Sequence, residues 1–83
     1  MKLSELYGLF VDTLNKSGFD EAESDSRLIF EYIAGIDRVK LTLEGDRELE
    51  PGIEEKLKAA LAKRLTHMPV QYITGYQNFM GLE

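Results

Sequence analysis

The chain contains no cysteine and a single histidine, His67, in 83 residues. Disulfides, thiolate chemistry and cysteine-ligated zinc are therefore excluded, as are metal sites built on a histidine pair. Positive charge is scarce too: 10 Lys and Arg stand against 15 Asp and Glu, a formal net charge of -5. A nucleic-acid surface needs clustered cations to release phosphate counterions, so a phosphate-binding module, including a helix-turn-helix reader, is disfavoured. No apolar run approaches the ~20 residues a membrane span needs, and the first residues carry no secretory signal pattern. Seven glycines occur, but in no dinucleotide-binding or P-loop spacing. The acidic cluster Asp20, Glu21, Glu23, Asp25 lacks the central Gly and distal Glu of a calcium loop. It reads instead as favourable charge at a helix N-terminus. Internal repeats and low-complexity tracts are absent.

What remains is the composition of a soluble globular domain, 43% hydrophobic and 30% charged. A chain this short buries only about 60–65% of its unfolded surface, which leaves little room for an enclosed catalytic site. Leu3, Leu6, Tyr7, Phe10, Val11 and Leu14 recur at helical spacing and predict a first helix, with Ser4 as its N-cap and Gly18 as its left-handed stop. A second helix starts at Asp20, where Asp20 and Glu23 have capping-box spacing. Its apolar stripe is Ala22, Leu28, Ile29, Tyr32, Ile33 and Ile36; Gly35 ends it and Ile36 packs back. Asp37 caps a short helical turn carrying Val39, Leu41 and Leu43, which Gly45 ends. The charged stretch 46–50 reads as solvated. Pro51 suits a first helical position, and Ile53, Leu57, Ala60, Leu61 and Leu65 give a third long helix. Lys56, Lys58, Lys63 and Arg64 complement its dipole.

Two residues break the binary pattern. Asp25 lies three and four residues before Leu28 and Ile29, and Arg64 lies three and four after Leu61 and Ala60, so both face inward. Burying either charge alone would cost several kcal/mol, on the order of what a broken buried ion pair costs. Pairing them removes most of that cost. So does a second arrangement, in which Asp25 accepts hydrogen bonds at the start of the short helix near Pro69. Asp25 and Arg64 are thus expected to be structural polar anchors, unless both lie at helix ends in contact with water. His67 has no orienting carboxylate near it in sequence, so a surface or helix-cap role outweighs a catalytic triad.

From Thr66 to Leu82 the sequence holds no Asp, Glu, Lys or Arg, yet it carries three of the eight aromatics: Tyr72, Tyr76 and Phe79. Pro69 opens a short helix that Gly75 closes. Tyr76 to Met80 then reads as a strand, which needs a ladder partner to be stable. That pattern predicts further protein after Glu83. Tyr72 and Ile73 are expected in the core.

Arg64, then Pro69-Val70-Gln71-Tyr72-Ile73-Thr74-Gly75, then Phe79-Met80-Gly81-Leu82-Glu83, resembles the linker motif of the release-factor glutamine methyltransferases. Asp25 followed by Leu28-Ile29 is similar to that family's Asp-Ala-x-x-Leu-Leu segment, with Ser26 in place of Ala. The resemblance spans essentially the whole chain, as the family's N-terminal helical domain. It implies a helical domain over 1–75 and, over 76–83, the start of a hairpin leading to a Rossmann-like catalytic domain. That further domain would bind S-adenosylmethionine at a Gly-rich turn and hold the substrate amide with Asn-Pro-Pro-Tyr. The implied reaction is methyl transfer to the glutamine of the Gly-Gly-Gln motif in class I peptide chain release factors. Neither motif occurs here, so no catalytic, cofactor or metal residue carries over, and the segment alone is expected to bind no cofactor. The implied partners are a class I release factor and the protein's own catalytic domain, with no nucleic acid and no membrane, in the cytoplasm. His67, Gln71 and Tyr76 are the candidate partner contacts; Phe79, Met80 and Leu82 are candidates for packing between domains.

The fold expected is all-α: a small bundle of three longer and one or two short helices, with the start of a β-hairpin at the C-terminus. A stand-alone helical adaptor is the alternative, and it would pack Phe79, Met80 and Leu82 within the chain or across a homodimer.

Overall fold

The apolar stripe of the first segment becomes α1, Leu3–Lys16, with Leu3, Leu6, Phe10 and Leu14 buried. A computed structural model describes residues 1–74 of the chain, and in it four further helices follow: α2 (Ala22–Ala34), α3 (Arg38–Leu43), α4 (Pro51–Leu65) and α5 (Val70–Thr74). The bundle is all-α, with three longer and two short helices. Helix α2 is central and packs against α1, α4 and α5. The proposed hairpin, with Tyr76, Phe79, Met80 and Leu82, lies outside the described residues, as does Gly75.

Helix starts depart from the sequence expectation. Ser4 lies inside α1 rather than capping it, because the loop before α4 supplies the missing acceptors. The Leu3 N–H donates to the Arg47 carbonyl at 2.9 Å and the Ser4 N–H to the Gly45 carbonyl at 3.0 Å. The Glu5 carboxylate accepts from the Lys2 N–H at 3.0 Å. With the first orphan donors met this way, Leu3 is free to be fully buried. Asp46, Arg47, Glu48 and Glu50 are exposed, in line with the solvated reading of 46–50, but the same pairing draws Leu49 inward. Leu49 donates its N–H to the Met1 carbonyl at 3.0 Å, Lys2 and Glu48 form an antiparallel bridge, and the Leu49 side chain is buried.

Helix α2 starts two residues later than expected, with Glu21 before it and no side-chain cap, so the Asp20–Glu23 box does not form. The cause is Phe19. Helix α1 ends in a Schellman turn: Gly18 (φ 89°) is left-handed, the Gly18 N–H donates to the Asn15 carbonyl and the Phe19 N–H to the Leu14 carbonyl. That geometry drives Phe19 into the core and spends residues 20 and 21 on a turn. The buried face of α2 is also rotated from the expected stripe. Ser26, Ile29 and Phe30 are buried, whereas Leu28 and Tyr32 are 38% and 46% exposed. Phe30 decides this: its ring meets Tyr7 and Phe10 of α1 edge-on, at centroid distances of 5.4 and 4.9 Å. Ser26 is tolerated inside because its hydroxyl donates to the Ala22 carbonyl at 2.7 Å. The far end is as expected, with Gly35 left-handed at φ 68° and Ile36 buried behind it.

Asp37 caps α3, its carboxylate accepting from the Lys40 N–H at 2.9 Å. The helix stops at Leu43 with Glu44 as its C-cap, one residue ahead of Gly45. Pro51 stands in the first turn of α4, which buries Leu57, Ala60 and Leu61. Helix α5 docks through Val70 and Ile73. These are three residues apart, so the side chain between them faces away: Tyr72 is 65% exposed, contrary to its expected place in the core.

The chain's α-amino group is paired with Glu48 at 2.8 Å and Glu54 at 3.1 Å. Hydrogen bonding to Glu48, then to Glu54, raises its pKa above the ordinary 8.0. Hydrogen bonding to Lys58, then to the amine, lowers that of Glu54 below 4.5. The amine's contribution to stability is complete below pH 8.0 and disappears as pH rises through its elevated folded value. The Glu54 contribution is complete above pH 4.5 and disappears as pH falls through its depressed folded value. Urea midpoints measured across pH should therefore decline on both sides of neutrality. Acetylating the amine should remove the alkaline decline, and a decline that survives acetylation would place its origin elsewhere.

Candidate functional site

Asp25 is buried on α2 and Arg64 is largely buried near the end of α4. The packing of the two helices brings them together, and the Arg64 Nε–H donates to Asp25 Oδ2 at 3.0 Å. Of the two arrangements open to Asp25, pairing with Arg64 is the one found. Arg64 has two further tasks. Its Nη1 donates to the Met68 carbonyl at 3.0 Å, and its guanidinium carbon lies 4.7 Å from the centroid of the Phe19 ring, within cation–π range. One side chain thus ties together α2, the α1–α2 corner and the chain leading into α5.

His67 sits at that corner. Helix α4 ends in a second Schellman turn, with the His67 N–H donating to the Arg64 carbonyl at 2.8 Å and the Met68 N–H to the Lys63 carbonyl at 3.4 Å. The left-handed position, usually Gly, is His67 itself at φ 70°. Its ring stacks on Phe19, centroids 4.9 Å apart and planes 21° from parallel. So Phe19, from one Schellman turn, has Arg64 and His67, from the other, against its ring. The strain of the left-handed backbone can be read separately from the ring contact. Ala and Gly at position 67 both lack the ring, so the Gly variant should be more stable than the Ala variant by about 1 kcal/mol. Paired chemical denaturation curves measure that difference, and equal midpoints would contradict the left-handed turn.

Between α2 and the α4–α5 corner lies an open groove of about 570 Å³. Leu28 and Tyr32 line it from α2, Val70 and Gln71 from α5, His67 from the corner, and the Asp25–Arg64 pair also lines it. Glu21 lines it too, at the residue preceding α2. Of the candidate partner contacts, the structure brings His67 and Gln71 to one groove; Tyr76 lies outside the described residues, as do the candidates Phe79, Met80 and Leu82. Sequence reasoning missed Phe19 and the exposed positions of Leu28 and Tyr32. The signal for Phe19 was present, since an apolar residue directly after a left-handed glycine packs back on its helix, as was expected of Ile36 after Gly35. Among the described residues no cluster of His, Cys, Asp and Glu could hold a metal ion, and no helix is long and apolar enough to cross a membrane.

The PrmC N-terminal domain family matches residues 5–75. The release factor glutamine methyltransferase of Deinococcus radiodurans is 28% identical over 82 residues, covering 99% of this chain and 30% of the relative. That of Cereibacter sphaeroides is 33% identical over 81 residues, covering 98% of this chain and 29% of the relative. The bifunctional methyltransferase of Rickettsia conorii is 31% identical over 72 residues, covering 87% of this chain and 14% of that longer protein. The chain therefore spans under a third of the length of these curated relatives. No solved structure matches it significantly.

Proposed function

The chain belongs to the PrmC N-terminal domain family, and from that premise we propose that it is the substrate-recognition and support domain of a release factor glutamine methyltransferase. The observation that carries this is the match over residues 5–75, joined to relatives bearing that name along nearly the full chain. The domain spans 1–75, and 76–83 begins the connection to a catalytic domain. The parent enzyme transfers a methyl group from S-adenosylmethionine to the glutamine of the Gly-Gly-Gln motif in a class I release factor, in the cytoplasm where translation terminates.

Binding of such a cofactor by a Rossmann-like catalytic domain relies on a Gly-rich turn between a strand and a helix. In this reading methyl transfer is the work of the catalytic domain, not of residues of this chain. Its part is to present a rigid helical surface to a protein partner.

Amide-shift titration of the isotope-labelled chain tests this division of labour. A class I release factor should perturb a contiguous set of amides, and S-adenosylmethionine should perturb none. Shifts induced by the cofactor would overturn the division. Silence toward the release factor at high concentration would leave the domain only its supporting role.

A further inference from the structure

We propose that the groove between α2 and α5 is the docking site for the release factor, and that it accepts an apolar side chain flanked by Lys or Arg. This rests on the reading of the chain as a recognition domain and assigns that role to one face.

Three observations converge on the groove. Its apolar wall is already exposed: Leu28, on α2, is 38% accessible. Burying such surface is the main non-directional gain available to a partner. Its charge is one-sided. Arg64 is the one Lys or Arg among its lining residues, and Asp25 neutralises it at 3.0 Å. Glu21 is exposed at the same groove and has no ion pair among the described residues. The groove therefore presents one uncompensated carboxylate beside apolar carbon, on a chain of net charge -5, which is complementary to an apolar residue with a cationic neighbour. Its frame is also preorganised, since Arg64 holds α2, the α4 corner and the approach to α5 at once. A frame set before binding loses less entropy when the partner arrives.

Two other exposed features fit less well. Val39 and Leu43 form an exposed apolar ridge on α3, but neither lines this groove or the hollow between α2 and α3. The hollow of about 180 Å³ between α2 and α3 carries Arg27 and Arg38 against Glu31 and Asp37, so its charges balance and give no sign preference.

The test uses the 83-residue chain and a class I release factor at low salt. Leu28→Lys places a cation on the apolar wall and should weaken binding about tenfold or more. Glu21→Lys should weaken it about three- to tenfold and flatten its salt dependence. Leu43→Lys, on the α3 ridge, should bind like the parent chain. Helical circular dichroism establishes that each variant folds, and Glu21→Lys, altered at an exposed residue outside any helix, carries the test if Leu28→Lys does not. Parent-like binding by Glu21→Lys and by any folded Leu28→Lys overturns the groove assignment alone, as does sensitivity confined to Leu43→Lys. Absence of binding by the parent chain overturns the recognition reading and this proposal with it. Concentration-dependent dimerisation that Leu28→Lys abolishes, without a release-factor effect, would assign the groove to a second copy and overturn the proposal.

Discussion

Replacing Arg64 with Ala should cost about 3 kcal/mol of folding free energy, enough to lower the melting temperature by roughly 12–24 °C in a domain of this size. The variant leaves the Asp25 carboxylate buried without its partner. It also frees the Met68 carbonyl and bares one side of the Phe19 ring. Asp25→Ala should cost somewhat less, about 2 kcal/mol. It strands the guanidinium, but Arg64 is the more exposed partner at 18% against 8% and keeps its other two contacts. The double variant is the informative one. With neither charge left to desolvate, it should cost well under the sum of the two, with a coupling on the order of 1–2 kcal/mol. Urea denaturation of the four chains measures this. Strict additivity would mean that the pair is not coupled in solution and that Arg64 acts through Met68 and Phe19 alone. A sequel follows for α5, whose approach Arg64 also holds: amide exchange at 70–74 should accelerate in Arg64→Ala more than in Asp25→Ala.

Phe30→Ala should be the most damaging single change among the core residues that touch α1, at about 3–5 kcal/mol. Phe30 is 1% exposed, and its ring crosses Phe10 at 77° and Tyr7 at 79°. Truncation removes two edge-to-face contacts worth about 0.5–1.5 kcal/mol each and leaves a void where α1 and α2 meet. Leu28→Ala, four-tenths exposed on the opposite side of the same helix, should cost under about 1 kcal/mol. Thermal melts of the two variants separate the rotated packing face of α2 from the one that its sequence stripe suggests. A Phe30→Ala variant that melts within a few degrees of the parent, or a Leu28→Ala variant that does not, would place the buried face elsewhere.

That contrast marks how far the fold was legible. Periodicity gave the three longer helices and their order, and cap and stop residues gave one or two short ones, because apolar spacing in α1 and α4 is regular and Gly18, Gly35, Asp37 and Pro51 act locally at helix ends. It misjudged the rotation of α2. Ser26 is polar by type but self-satisfied through the Ala22 carbonyl, while Leu28 and Tyr32 are apolar by type yet line an open groove. Residue type reports burial only where nothing but the core competes for a side chain. Of the candidate site, Asp25 and Arg64 could be singled out because charges on an apolar face need an explanation. Their meeting with Phe19 and His67 depends on two Schellman turns coming side by side, a tertiary fact that no local spacing encodes. The start of α1 was illegible for the same reason: its acceptors lie more than forty positions away, in the loop ending at Leu49.

That last arrangement sets an order of events as the chain is made. Helix α1 is synthesised first, but the carbonyls of Gly45 and Arg47 that close its first turn come some forty residues later. At about 5–20 residues per second, a nascent chain waits roughly 2–9 s with that turn frayed. The central part of α1 can meet α2 before then, since those contacts need only the short α1–α2 corner. Closure of the first turn instead waits for the loop between α3 and α4, so the beginning of the domain is fixed only as the chain reaches the helix that carries Arg64.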